Sequence, residues 1–305
     1  MQSVFLKRLN KYKLLLLMLL PALLYYVVFY YIPMAGIVVT FKSYDYAGGL
    51  FGSPWAGLNN FKFLFIGGQI FKVMRNTVLY NLAFILINTV SQITVAIVLS
   101  ELRSKSFKKL TQSLMFLPYF ISWVVVGAFV YNLFNNEFGV MNSLLKSLNM
   151  APVNIYDKPL VWSAIIVIFS IWKNLGYGSV IYIAAIAGID RELYEAAEID
   201  GASTIQRIRR ITLPSISQTV IILILLSLGN VFRGDFQMFY QIVGQNSLVY
   251  NTTDVIDTFV MRSLTQVHDF GMTSAAGLIQ SILCFIIINI ANYTVRRVDS
   301  EYSLF

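Results

Sequence analysis

Long apolar stretches alternate with short polar segments along the whole chain. Six stretches are long enough to cross a membrane, because a hydrocarbon core of about 30 Å needs about 20 predominantly apolar residues in a helix. They comprise residues 14–41, 76–100, 110–136, 160–187, 213–233 and 270–295. The pattern predicts an all-α membrane protein with six transmembrane helices in a single domain, residues 1–305.

Composition agrees with a membrane protein and excludes several function classes. Of the 305 residues, 57% are hydrophobic and 12% are charged, whereas soluble domains carry roughly 25% charged residues. Lysine and arginine outnumber aspartate and glutamate by 23 to 15. They form short clusters between apolar stretches instead of one basic domain, so we expect no nucleic-acid partner. With 1 cysteine and 1 histidine, we expect no intrachain disulfide and no metal site.

The basic residues indicate the orientation of the chain, because cytoplasmic loops of membrane proteins are enriched in lysine and arginine. If the six spans alternate, most of these residues fall on one face. Those residues are Lys7, Arg8, Lys11, Lys13, Arg103, Lys105, Lys108, Lys109, Arg191, Arg207, Arg209, Arg210, Arg296 and Arg297. The opposite face carries fewer over longer loops. We therefore expect both termini in the cytoplasm, and an uncleaved first span, since its apolar run is too long for a signal peptide.

Residues 188–213, between the fourth and fifth spans, form the most polar stretch of their length and predict a helix-turn-helix. Asp190 can cap the first helix, and Gly201 can turn the chain with a positive φ. Ser203 and Gln206 have the spacing of a capping box that opens a second helix. Pro214 then suits the first turn of the fifth span. This segment is predicted to lie in the cytoplasm.

The same segment resembles a known family. The runs Glu195-Ala196-Ala197 and Ile211-Thr212-Leu213-Pro214, with Gly201 between them, are similar to the EAA loop in permease subunits of binding-protein-dependent ABC importers. Two further runs resemble the carbohydrate-uptake branch, notably oligosaccharide and polysaccharide permeases: 172–178, which reads Trp-Lys-Asn-Leu-Gly-Tyr-Gly, and Leu117-Pro118. The resemblance implies the type I importer (MetI-like) architecture, with a coupling helix seated on a cytoplasmic ATPase. The residues implied in this coupling are Glu195, Ala196, Ala197, Asp200, Gly201, Ala202, Arg207 and Pro214.

The resemblance also implies partners. They are a second permease subunit, expected to form a heterodimer with this chain, two ATPase subunits, an extracytoplasmic solute-binding protein and a carbohydrate substrate, within the lipid of a bacterial cytoplasmic membrane. ATP and Mg²⁺ would be bound by the ATPases, since the chain has no GxxxxGK[ST] loop and no catalytic constellation. We expect no cofactor and no enzyme activity in this chain. Alternatives are an importer permease for a non-sugar solute and a stand-alone secondary transporter, which would normally carry ionisable residues in several spans.

Lys173 is the one charged residue near the middle of a predicted span. A charge there costs about 2.5–3.5 kcal/mol on insertion scales, so it should face the bundle interior or a water-filled cavity. In one interpretation it belongs to a sugar pathway together with Asn174, Tyr177, Asn230, Arg233, Asp235 and Gln237. In the other it pairs with a carboxylate or with backbone carbonyls at a helix contact, and the residues after the fifth span simply meet water.

Overall fold

The computed structural model describes residues 11–66 and 68–305, so Lys7 and Arg8 of the first basic cluster lie outside the described residues. The helices are α1 (Lys13–Tyr26), α2 (Ile32–Met34), α3 (Gly49–Gly52), α4 (Asn59–Phe65), α5 (Gln69–Glu101), α6 (Lys105–Phe120), α7 (Trp123–Phe134), α8 (Val140–Ser147), α9 (Pro159–Ala187), α10 (Arg191–Ile199), α11 (Thr204–Arg207), α12 (Leu213–Leu228), α13 (Phe236–Val243), α14 (Tyr250–Thr253), α15 (Ile256–Arg262) and α16 (Phe270–Val298). Three π-helical segments (Val27–Tyr31, Ile208–Thr212, Ser263–Val267) and three 3₁₀ segments (Ala35–Phe41, Ser247–Val249, Ser300–Tyr302) complete them. Over the described ranges the extended structure is a single antiparallel bridge between Lys42 and Trp55.

Five helical stretches among the described residues are long and apolar enough to cross a membrane. They are Lys13–Phe41, Gln69–Glu101, Pro159–Ala187, Thr204–Leu228 and Phe270–Val298. Helices α6 and α7 meet the same criterion only as a pair, which gives up to six spans. The predicted all-α membrane fold is therefore confirmed.

The third predicted span, 110–136, is not one straight helix. Helices α6 and α7 meet at an angle of 93°. Pro118 lies in the last turn of α6, where its ring and missing N–H oppose continuation of the helix. The hydroxyl of Ser122 then accepts a hydrogen bond from the Val125 N–H at 3.4 Å and caps α7. The apolar pattern continues across this break, which is why hydropathy alone predicts a single span.

Pro214 lies in the first turn of α12, as predicted, but α12 is not separate from the helix that precedes it. Helical structure runs without interruption from Thr204 to Leu228. Just before the proline, the Leu213 N–H donates to the Ile208 carbonyl, five residues back, as in a π-helix. Such a wider turn is a common way for a helix to accommodate a disruptive residue. The second helix of the predicted helix-turn-helix is thus continuous with the fifth span.

The chain divides into two compact units. One comprises residues up to Ile66 together with Ser263–Leu278. Within it the side chain of Asn60 donates to the carbonyls of Thr40 (2.8 Å) and Lys42 (3.0 Å), which fixes the turn after the first span. The other unit comprises Gly67–Arg262 and Ile279–Phe305. It contains α5 to α15 and the candidate site described below.

Two apolar clusters in the larger unit position its longest helices, α5 and α9. One joins the first halves of these helices to α7 and α13 through residues that include Tyr80, Val126, Ile166 and Phe239. The other joins the ends of the same helices to α12 and includes Leu99, Tyr182, Ile186 and Ile216. Between the clusters, the facing residues of α5 and α9 include several polar side chains. These polar residues lead to the candidate site.

Candidate functional site

Lys173 of α9 caps the broken helix pair. Its ammonium donates to the carbonyls of Pro118 (3.2 Å), Tyr119 (2.9 Å) and Ile121, at the end of α6, where helical carbonyls lack intrahelical donors. The charge also lies 5.2 Å from the ring centroid of Trp123, at cation–π distance. The residue is only 8% exposed. This geometry corresponds to the second interpretation of Lys173, a charge satisfied by backbone carbonyls at a helix contact.

Two glycines in the run 172–178 of α9, Gly176 and Gly178, allow neighbouring helices to lie close against it. A Cβ on Gly176 would overlap with the carbonyl of Met115, which shows that the backbones of α6 and α9 are in direct contact here. A Cβ on Gly178 would occupy the place of the Gln92 carboxamide from α5. The distinctive run at 172–178 therefore holds α5, α6 and α9 together at one level.

Tyr177 lies on a cavity of about 480 Å³ between α5, α9 and α12. Its ring is stacked on that of Tyr119, with centroids 4.3 Å apart and an interplanar angle of 7°. Polar side chains on the cavity wall include Asn81, Asn88, Gln92, Asn174 and Asn230. A cavity of this size, with aromatic surface and a few polar groups, has the dimensions of a small-molecule site.

The seven pathway candidates are therefore divided among different places. Asn174, Tyr177 and Asn230 line the cavity, whereas Lys173 caps the helix break. Arg233, Asp235 and Gln237 are exposed in the segment that follows α12. Asp235 caps α13 by accepting the Met238 N–H at 3.0 Å.

The contribution of α5 to the cavity was not predicted. Charged residues within the spans do not indicate it, because Asn81, Asn88 and Gln92 are neutral. Their spacings of 7 and 4 residues place them on one face of a helix. A search for polar residues at helical spacing within apolar spans would have identified them.

The segment after α12 is held from two sides. The Asn81 amide donates to the carbonyls of Val231 (3.1 Å) and Arg233 (2.9 Å). The carboxylate of Asp257 accepts from the Gly234 N–H (2.6 Å) and from Gln280 (3.0 Å). Burial raises the pKa of Asp257, although these hydrogen bonds oppose the increase. These contacts fix the end of the cavity next to Asn230.

The helix-turn-helix has the local structure that its sequence predicts. Asp190 caps α10 by accepting the Glu192 N–H at 3.0 Å. Gly201 has a φ of +74°, and Ser203 with Gln206 forms the complete capping box. These three predictions are confirmed. Because each turn is specified locally, the segment has a defined shape before any partner binds.

The turn presents apolar and small side chains outward. Ile199 is 87% exposed and Ile205 is 64% exposed, so the turn has apolar surface that a partner could cover. Of the residues implied in coupling, Glu195, Ala196, Asp200 and Gly201 are exposed, while Ala197 and Ala202 are half-buried. These features form an outward surface, called here the turn surface and comprising residues 195–205.

Arg207 instead faces its own chain. Its guanidinium lies 3.8 Å from the carboxylate of Glu198 and 4.0 Å from that of Glu101 at the end of α5. Nearby, the hydroxyls of Tyr194 and Thr212 share a hydrogen bond of 2.9 Å. The Arg207–Glu101 contact links the turn to the end of α5, and the Tyr194–Thr212 hydrogen bond links it to the start of the fifth span. Arg207 thus supports the turn surface from behind.

Comparison with known proteins assigns this arrangement to a family. Residues 92–300 match the model for "Binding-protein-dependent transport system inner membrane component". Protein LplB of Bacillus subtilis is 34% identical over 274 residues, which cover 90% of this chain and 85% of that protein. The polygalacturonan/rhamnogalacturonan transport system permease protein YteP of Bacillus subtilis is 30% identical over 273 residues, 90% of this chain and 84% of that protein.

Solved structures give the same assignment. A chain of a bacterial ABC transporter involved in the import of the acidic polysaccharide alginate has a TM-score of 0.87 and 32% identity, with 97% of this chain and 99% of that chain covered. A second structure shows a bacterial alginate ABC transporter with an alginate pentasaccharide-bound periplasmic protein. Its similar chain has a TM-score of 0.85 and 32% identity, and the match covers 96% of this chain and 97% of that chain.

Proposed function

Because the chain belongs to the family of binding-protein-dependent transport system inner membrane components, we propose that it translocates a carbohydrate as the permease subunit of an ATP-binding-cassette importer. Family membership makes it a multi-pass membrane component with the type I permease fold, not the ATPase. The observation that supports the substrate class is the cavity beside Tyr177. Sugars are held by planar hydrogen-bonding groups and aromatic faces, and this wall carries both.

The proposed assembly contains a second, similar permease chain, two ATPase subunits and an extracytoplasmic solute-binding protein. ATP and Mg²⁺ bind to the ATPases. The similarity to a transporter solved with a sugar-bound periplasmic protein supports this composition. The apolar and small side chains of the turn surface support its role as the ATPase contact, with Ile199 and Ile205 covered in the complex.

Both termini and the turn surface are proposed to lie in the cytoplasm, on the basis of the basic clusters. We expect Thr204→Cys, in a background where Cys284 is serine, to react with an impermeant thiol reagent only from the cytoplasmic side. Ser147→Cys on α8 should react from the outside. Both positions are exposed, so accessibility of the folded chain does not limit the reaction. If Thr204→Cys reacts only from outside and Ser147→Cys only from the cytoplasmic side, the chain has the opposite orientation.

The sugar pathway is tested at Tyr177. In proteoliposomes containing the whole complex and its binding protein, Tyr177→Ala should lower oligosaccharide uptake about tenfold, because loss of an aromatic surface costs about 1 kcal/mol or more. Asn174→Leu should act in the same direction. ATP hydrolysis and assembly should persist in both, whereas Lys173→Met should impair assembly instead.

The matched control is Tyr131→Ala, which removes a ring packed on Phe138 at 5.7 Å and away from the cavity. Its uptake should remain near that of the unmodified complex. Unchanged uptake in Tyr177→Ala would contradict a pathway role. A loss of uptake that is fully explained by loss of assembly would contradict it as well.

A further inference from the structure

Four of the five carboxamides on the cavity wall turn their nitrogen atoms toward the backbone. Asn81 is the most fully engaged, since its Nδ2 donates to three carbonyls, those of Thr77, Val231 and Arg233. The other donors and their carbonyl acceptors are Gln92 to Asn174 (3.3 Å), Asn174 to Ser170 (2.9 Å) and Asn230 to Leu226 (3.3 Å). The same orientation therefore recurs on α5, on α9 and just after the end of α12.

This orientation is fixed by chemistry. A backbone carbonyl can only accept, so the side-chain atom that meets it must be the NH₂ group and not the oxygen. The groups left for an occupant are the carboxamide oxygens and the second N–H of each amide that donates only once. Asn88 is the exception among these carboxamides, because its Oδ1 is buried without a hydrogen-bond partner and is not exposed to the cavity.

From this arrangement, and building on the proposed function, we infer that the cavity selects uncharged sugar units and disfavours uronates. Sugar hydroxyls donate to carboxamide oxygens. An ionised carboxylate only accepts, so in the cavity it would exchange its hydration shell for a few neutral N–H and O–H donors, without an opposite charge. The lining residues that the structure describes carry amides, hydroxyls and apolar groups, none of which neutralises an anion. The names of two similar proteins refer to the transport of polygalacturonan and of alginate. This selectivity would therefore distinguish the present chain from those proteins.

A pair of ligands that differ in charge and by one methyl group per sugar unit tests the inference. The assembled complex in nanodiscs, without its binding protein, is titrated at neutral pH with trigalacturonate and with its fully methyl-esterified form. The ester should bind at least about tenfold more tightly, because unfavourable electrostatics in a partly buried site act on the acid alone. Equal or tighter binding of the acid would overturn the inference. Binding of neither would overturn it too, and absence of uptake of any glycan would overturn the proposed function as well.

One substitution should reverse the preference. Asn230→Lys places a cation on the wall and should make the acid bind at least as well as the ester. Retained ester binding would show that the variant is folded. Asn132→Lys is the matched control, since Asn132 is exposed, makes the same type of bond to a carbonyl four residues back (2.8 Å), and lies on α7 away from the cavity. An unchanged ratio of the two affinities in Asn230→Lys would contradict the assignment of the wall.

Discussion

Gly176→Ala should destabilise the protein by about 3 kcal/mol, at the upper end of the usual cost of overpacking. The added methyl group would meet the Met115 carbonyl and the Phe116 nitrogen. These are backbone atoms of a helix, so they cannot move aside as a flexible side chain can. The expected result is separation of α6 from α9 and loss of the Lys173 contacts at the helix break. Thermal denaturation of the purified chain, followed by size-exclusion fluorescence, measures the effect.

Gly277→Ala provides the comparison. It is also a glycine in a membrane helix, but a Cβ there meets nothing within 4 Å. Its melting temperature should stay the same or rise slightly, because alanine has the higher helix propensity. Similar melting temperatures for the two variants would contradict the close helix contact at Gly176.

Gly201→Val should abolish transport while the protein still inserts. No atom lies within 4 Å of the added Cβ, so the effect comes from the backbone. A β-branched residue at a φ of +74° is strained by about 1–3 kcal/mol, and the turn would relax to another shape. Glu195→Lys should also reduce coupling by reversing an exposed charge. Glycan uptake and ATPase co-purification, measured on the same membranes, check both results.

Gly201→Asn is the control, because asparagine tolerates positive φ better than other non-glycine residues. It should retain most of the transport that valine abolishes. If Gly201→Val and Glu195→Lys both transport normally with a full complement of ATPase, the turn surface does not couple the two subunits.

Local features of this chain were predictable from sequence, since their physics is contained in a few neighbouring residues. The cap at Asp190, the turn at Gly201 and the box at Ser203 depend on contacts within three residues, and each is present. The apolar spans follow from hydropathy in the same way.

Features that depend on a distant partner were not predictable in this way. The break at Pro118 is stable because Lys173, 55 residues later, donates to its carbonyls. The ion pair between Arg207 and Glu101 likewise joins residues far apart in the sequence, and no pattern near Arg207 indicates it. The cavity needs residues from three helices, so no single segment displays it.

The continuous helix from Thr204 to Leu228 has a mechanical consequence. At 1.5 Å per residue, its 25 residues form a rod about 37 Å long. One end lies in the turn surface, and the other carries Ser227 onto the cavity wall. If the helix tilts by about 5° about its end in the turn surface, its other end moves by about 3 Å. A small rotation of the turn would therefore shift Ser227 on the cavity wall by a distance comparable to the width of a hydroxyl group.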